Sequence, residues 1–139
     1  MALIGDEQAR EPYCYLETVG RVTGRRRRVE LWFAAAGDTL YFLAGGGEAT
    51  HWVRNLDHQP EARVRVGGTT LPAAGRRIAG QPEEPTARRL LAAKYQGWRE
   101  GRPLSTWARD SLPIALDLRS PAVADGAREG RLPPDRDSG

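Results

Sequence analysis

The sequence predicts an α+β domain, mainly β: about six antiparallel strands with two or three helices, in a small closed or split barrel. Three observations point there. Short aromatic and β-branched runs recur at close intervals, with glycine-rich links between them. Most of these links have hairpin length, which makes neighbouring strands antiparallel. Only one segment carries both helical start signals and an apolar face of useful length, so one principal helix covers the sheet. A chain of 139 residues fits one domain.

The elements follow in order. Residues 1–12 form an arm. YCYLETV (13–19) alternates partly and reads as a first strand, and Gly20 to Gly24 form a turn. RRVELWFAAA (27–36) reads as one long second strand. Gly37 and Asp38 turn it into a third, TLYFLA (39–44), which the three glycines at 45–47 end. Thr50 suits the N-cap of a short helix, HWVRNLDHQ, stopped by Pro60. ARVRV (62–66) alternates as a half-exposed strand does. After Gly67 and Gly68 the chain returns over 69–79, with a bend expected near Pro72 or Gly75. PEEPTARRLLAAKYQGW (82–98) has acids and Pro85 at its start, then Leu90, Leu91 and Tyr95 on roughly one face. One further helical turn fits 104–110, and LPIALDL (112–118) is a last strand. The barrel domain therefore covers 13–120. Residues 121–139 lack apolar periodicity and read as a disordered tail.

Composition excludes several classes. Cys14 is the only cysteine, so no intrachain disulfide forms. The first twelve residues carry acids and no apolar run, unlike a signal peptide. No stretch approaches the length of a membrane span. A soluble, cytoplasmic protein without stable membrane insertion is expected. The net charge of +3 is too mild to imply nucleic acid, and the aromatics do not interleave with the arginines as base-stacking platforms require. His51 and His58 are the only histidines and have no metal-like spacing with Cys14 or a carboxylate, so no metal is expected. There is no G-x-S-x-G, no GK[ST] and no G-x-G-x-x-G.

The most distinctive stretch is GRVTGRRRRVEL (20–31), with five arginines between Arg21 and Arg28. Lys94 is the only lysine among 21 basic residues. A turn exposes backbone amides. Gly24 and Thr23 let them converge, Thr23 adds a hydroxyl, and the flanking guanidinium groups add charge-assisted donors. Such a turn cradles an anion, phosphate above all, or it is a set of solvated charges; spacing does not choose. Strand alternation puts Arg25 and Arg27 on one face and Arg26 and Arg28 on the other, so at most two of the four share a pocket. The glycines at 45–47 either let a flat ligand approach the backbone or form an empty loop. Trp52 and Asn55 share a helical face, where tryptophan serves as core or as ligand contact.

LETVGRVTGRRRR (16–28), LWFAAAGDTLYFLAGGG (31–47) and WVRNLDHQPEARV (52–64) together resemble L-x-T-x-GR-x-[ST]G-x-x-R, a strand–GD–strand hairpin ending in small residues, and W-x-x-NL-x-x-x-P-x-V-x-V. That series is similar to the deazaflavin-dependent nitroreductases, also called F420H2-dependent quinone reductases, and the likeness covers about 13–118. It implies a split β-barrel of the FMN-binding, pyridoxamine-phosphate-oxidase-like type. It also implies coenzyme F420, and hydride transfer to a small electrophilic acceptor of the quinone or nitro-aromatic class. Wider relatives hold FMN or haem, so a non-catalytic barrel binding FMN, haem or a tetrapyrrole is the alternative.

Position by position, the resemblance implies that Arg21, Val22 and Thr23 line the phosphate and lactyl–glutamate part of the cofactor. Arg27, Arg28, Val29, Glu30, Leu31 and Trp32 would run beside it. Leu43, Ala44, Gly45 and Gly46 would pass near the ring, and His51, Trp52, Val53, Arg54 and Asn55 would close the site. Tyr13, Tyr15, Tyr95 and Trp98 are acceptor-side candidates, none a certain catalyst. Two departures stand out. Gly46 replaces a usual basic residue in a loop about three residues shorter than the family's, and Val22 replaces a frequent lysine. The resemblance also allows a homodimer.

Overall fold

The computed structural model describes residues 2–121; the tail expected from 121 onward lies, but for its first residue, outside them. A one-turn helix α1 (Asp6–Ala9) precedes seven strands: β1 (Cys14–Val19), β2 (Arg26–Leu31), β3 (Ala34–Ala36), β4 (Thr39–Ala44), β5 (Glu61–Val66), β6 (Thr69–Arg77) and β7 (Leu112–Leu118). Helix α2 (His51–His58) follows β4, and α3 (Glu84–Gln96) and α4 (Thr106–Asp110) lie between β6 and β7.

All strand pairs are antiparallel, in the order β2-β1-β5-β6-β7-β4-β3. The two edge strands, β2 and β3, are consecutive in sequence with only Trp32 and Phe33 between them. Seven strands laid flat would put those edges about 29 Å apart, yet three residue steps span at most about 11 Å. The sheet must therefore curl until its edges nearly meet, and the result is a split β-barrel. The seam stays open above that link. Beyond Tyr41, β4 has no strand neighbour on its β3 side.

The strand count corrects the expected six. The run 27–36 is two strands because the chain changes partner within it: Leu31 still pairs with Cys14, whereas Ala34 pairs with Tyr41. Phe33 belongs to neither ladder, and side chains satisfy its backbone instead. Its N–H donates to Tyr95 Oη at 3.0 Å, and its carbonyl accepts from Lys94 Nζ at 2.9 Å. No glycine or proline marks this break, so composition alone shows one strand.

Inward residues fill the barrel. Leu16, Phe33, Leu40, Phe42, Val64, Ile114 and Leu116 are at most 2% exposed, and α2 adds Trp52, Val53 and Leu56 to the same core. On the outer face, α3 packs Ala87, Leu91 and Ala92 with Tyr41, Leu43 and Ala115, so β4 is apolar on both sides. The outer faces of β1 and β5 are instead polar, and β5 alternates strictly. The strand expected over 69–79 runs Thr69–Arg77. Its first part pairs with β5 and its last part with β7. Pro72 precedes the β7 pairing, where a missing N–H costs no ladder bond on that side.

Candidate functional site

The turn from Gly20 to Gly24 is built by its own bonds. Gly20 N–H donates to the Arg25 carbonyl at 2.7 Å, and Gly24 N–H donates to the Gly20 carbonyl at 2.8 Å. Gly24 has φ +75°, a conformation that favours glycine. Asn55, buried on α2, locks the turn to the helix. Its Oδ1 accepts from the Arg21 N–H at 3.1 Å and from Arg21 Nη1 at 2.8 Å, while its Nδ2 donates to Thr18 Oγ1 at 3.1 Å. Arg21 Nη2 also donates to His51 Nδ1 at 3.2 Å. The arginine turn and the start of α2 are thereby one unit.

Between them lies a cleft of about 440 Å³. Nine of the expected residues border it: Arg21, Val22 and Thr23 from the turn, Arg27, Arg28 and Val29 from β2, and His51, Trp52 and Asn55 from α2. Thr18 and Gly20 complete the lining. The register pairs Thr18 with Arg27 and Leu16 with Val29, so Arg27 and Val29 face the seam. Arg26 faces outward to Glu17 at 3.3 Å, and Arg28 lies over the Tyr15 ring at 4.5 Å on the outer face while still bordering the cleft. The expected alternation holds only in part: two of the four arginines border the cleft, but they are Arg27 and Arg28, and Arg25 precedes the strand and does not line it.

No described carboxylate pairs with the charges of Arg21 and Arg27 in the cleft. Arg21, Arg25 and Arg27 make no carboxylate pair among the described residues, whereas Arg26, Arg63, Arg76, Arg77 and Arg88 all do. No side chain caps α2 at its start, so its first-turn amides point their partial positive charge outward. Thr50 takes the N-cap position with extended backbone, but its Oγ1 is buried without a partner. Guanidinium groups without carboxylate partners and the uncapped amides of α2 together fit a bound phosphate or carboxylate.

The turn's own donors are fewer than sequence reasoning expects. The amides of Gly20, Arg21, Gly24 and Arg25 are all spent internally, Arg25 N–H on Thr23 Oγ1 at 3.2 Å. Val22, Thr23 and the Thr23 hydroxyl proton are left to a ligand. Val22 itself is 87% exposed.

Other expected residues lie elsewhere. Val53 is fully buried in the barrel core, and Leu43 lies in the outer core beneath α3, so neither side chain borders the cleft. Ala44 is likewise buried, though with Leu43 it belongs to the stretch of β4 whose edge is open. Glu30, Leu31, Gly46 and Arg54 do not line the cleft. Trp52 unites both readings: it packs edge-on to Phe42 at 5.7 Å and still borders the cleft.

At the far end of β2 stands an aromatic group. Trp32, 43% exposed, stacks on Tyr95 with centroids 4.3 Å apart and meets Trp107 edge-on at 5.5 Å. Gly45 abuts Trp107: a Cβ there would lie 3.8 Å from its ring. Two acceptor-side candidates are occupied. Tyr95 Oη, with its pKa raised chiefly by burial, accepts from Phe33 N–H and lies 2.8 Å from the Pro12 carbonyl. Trp98 donates its indole N–H to the Arg102 carbonyl at 2.7 Å and lines a separate groove. Tyr13 is 43% exposed and Tyr15 lies under Arg28 on the outer face. Sequence reasoning missed Thr18 and Trp107. A threonine at an inward position after Leu16 is a readable signal for the first; nothing local signals the second.

Among the described residues no three His, Cys, Asp or Glu side chains cluster as metal ligands, and no helix is long and apolar enough to cross a membrane. A family model described as F420H(2)-dependent quinone reductase matches residues 2–116. Solved structures share the fold. An F420-H2 dependent reductase is 22% identical, with 78% of this chain and 95% of that chain covered and a TM-score of 0.58. A Listeria innocua protein assigned as a pyridoxamine 5'-phosphate oxidase is 14% identical, with 81% and 88% covered and a TM-score of 0.59, in keeping with the expected barrel type. The haem storage protein of Vibrio cholerae is 14% identical, with 86% and 92% covered and a TM-score of 0.64. The comparison with curated proteins returned no match.

Proposed function

The chain belongs to the F420H2-dependent quinone reductase family, and from that premise we propose that it is an F420H2-dependent oxidoreductase passing a hydride to a small electrophilic acceptor of the quinone or nitro-aromatic class. The observation that carries this reading is the cleft itself. Two guanidinium groups without carboxylate partners, Arg21 and Arg27, meet the uncapped start of α2 in one space.

The bound deazaflavin supplies the hydride chemistry; the chain supplies position and electrostatics. Arg21 and Arg27 hold the anionic end, aided by the Val22 and Thr23 amides and the Thr23 hydroxyl. Asn55 fixes Arg21 so that little freedom is lost on binding. Along β2 the step from Arg27 to Trp32 spans about 17 Å, enough to separate a charged end from a flat one. Trp32 and Trp107 give the flat end an aromatic wall, and the absence of side chains at Gly45 and Gly46 lets backbone approach it. The open edge of β4 at residues 42–44 offers main-chain groups there. Hydride transfer asks for donor and acceptor about 3–3.5 Å apart, a matter of holding both partners still. Tyr13 is the acceptor-side tyrosine whose hydroxyl has no partner among the described residues.

Titration with F420 tests this. Charge-assisted bonds contribute about 1.5–3 kcal/mol each, so Arg21→Ala with Arg27→Ala should weaken binding by about a hundredfold or more. Unchanged affinity would overturn the assignment. One observation favours the alternative of a non-catalytic barrel for FMN, haem or a tetrapyrrole: residues 45–50 carry no basic side chain, so this loop adds no cation to the cleft. A flavin or Soret band in the purified protein would select that reading.

A further inference from the structure

The loop between β4 and α2 has a single side-chain tether. Residues 45–50 include three glycines, and within the loop Ala49 N–H donates to the Gly46 carbonyl at 3.3 Å and Thr50 N–H to the Gly47 carbonyl at 3.1 Å. The side chain of Glu48 is 75% exposed, yet both its oxygens are held: Arg77 Nη1 donates to Oε2 at 2.7 Å and Nη2 donates to Oε1 at 2.9 Å. The same guanidinium grips Asp57, with Nε donating to Oδ1 at 3.0 Å and Nη2 to Oδ2 at 2.6 Å. Arg77 ends β6 in register with Ile114 of β7, and Asp57 lies in the last turn of α2. One planar group thus joins loop, helix and sheet through four charge-assisted bonds.

Such exposed pairs add little to global stability. Their effect is local, because a segment with three glycines has many conformations and its one anchored side chain selects among them. A second observation concerns Thr50, at the end of the same loop. Thr50 has the backbone of an N-cap, but its buried hydroxyl bonds to nothing, and a Cβ on Gly46 would stand 2.9 Å from it. A relaxed loop would let that hydroxyl accept from a first-turn amide of α2, because an unpartnered buried hydroxyl is unfavourable. The held loop does not.

We propose that Arg77 is a positioning residue for the cleft: by clasping Glu48 and Asp57 together it keeps Thr50 from capping α2 and leaves that helix end open to an anionic ligand. The idea rests on the cleft being the ligand site described above. Arg77 itself does not line the cleft.

Hydrogen exchange on the ligand-free protein, with F420 titration, tests it in two independent arms. Arg77→Met should speed amide exchange at 46–50 by roughly threefold to fivefold, the range open to an exposed ion pair, while the amides of β4 and β7 keep their rates. It should weaken F420 binding by a similar factor, with Arg77→Lys intermediate. Thr50→Val in the Arg77→Met background removes the competing cap and should restore most of the lost affinity, which a merely structural role of Arg77 would not predict. Unchanged exchange at 46–50 in Arg77→Met, or no recovery with Thr50→Val, overturns the proposal. Failure of the wild-type protein to bind F420 would refute the cofactor assignment alone, since the exchange arm needs no ligand.

Discussion

Cys14 and Lys94 are the chain's only cysteine and only lysine, and the fold brings them together in a place where burial acts on both. Cys14 is fully buried, and burial pushes its thiol up to about 12, with the nearby Lys94 charge opposing the shift. Burial pushes Lys94 the other way, downward. The ammonium compensates by donating to the Ala9 carbonyl at 3.0 Å and the Phe33 carbonyl at 2.9 Å, 3.7 Å from the Phe33 ring centroid. It ties the N-terminal arm to the barrel link. A thiol so raised and covered has almost no thiolate at neutral pH. Cys14 should therefore resist iodoacetamide at pH 8 in the native protein and react fully once the chain is denatured in urea. Alkylation at the rate of a free thiol without denaturant would show that the arm does not cover it. Neither residue advertises this pairing in the sequence. The separation from Cys14 to Lys94 is long, and no local pattern links a lone thiol on a strand to a lysine near a helix end. Tyr95 teaches the same lesson. Its ring position was legible from helical spacing, but the fate of its hydroxyl was set by Phe33 and Pro12, residues far along the chain.

Among the elements, those whose ends carry glycine or proline were read closely. The β3–β4 turn at Gly37, the β5–β6 turn at Gly67 and the stop of α2 before Pro60 all lie where the sequence analysis expects them. The division of 27–36 into β2 and β3 was not legible, because a change of strand partner leaves no mark when the residues at the corner, Trp32 and Phe33, are as apolar as their neighbours. Gly75 shows a middle case. A bend was expected near Pro72 or Gly75; the strand runs from Thr69 to Arg77 and passes there from pairing with β5 to pairing with β7, and the glycine also serves packing. A Cβ at 75 would stand 2.8 Å from Leu56 Cδ1 on α2, so the helix rests directly on the strand backbone. Gly75→Ala should then cost about 1–3 kcal/mol, the usual range for overfilling a packed core. Urea denaturation reads this as a lower midpoint with an unchanged slope. A midpoint equal to that of the wild type would mean that Leu56 has room to move aside.

Over the whole molecule, the modest net charge of +3 conceals an uneven arrangement. Most of the paired carboxylates on the outer surface sit in arginine clasps: Glu83 and Asp117 on Arg76, Glu48 and Asp57 on Arg77, Glu17 on Arg63 and Arg26, and Glu84 on Arg88. Among the described residues, Arg21 and Arg27 in the cleft have no carboxylate partner. The sequence shows the cluster of arginines but not this division, since the partners of Arg63, Arg76 and Arg77 lie 7 to 46 residues away. The clasps fix how the fold responds to acid. Hydrogen bonds from Arg76 hold Asp117 and Glu83 below their ordinary values of 3.8 and 4.5, a bond from Arg77 does the same for Asp57, and the Gly80 amide and Arg88 do so for Glu84. A carboxylate whose value is depressed on folding contributes stability that is fully present above its unfolded value and is lost as pH falls through the folded one. Each clasp is partly exposed, so its share is small after solvent screening, but all four carboxylates titrate in the same direction. The melting temperature should accordingly stay level from neutral pH down to about 5, then fall progressively below about 4. A melting temperature that holds steady down to pH 3 would mean these clasps are no tighter in the folded chain than in the unfolded one. A parallel melt of Arg76→Met, whose removal frees both Glu83 and Asp117, should show a shallower decline over the same acid range than the wild type.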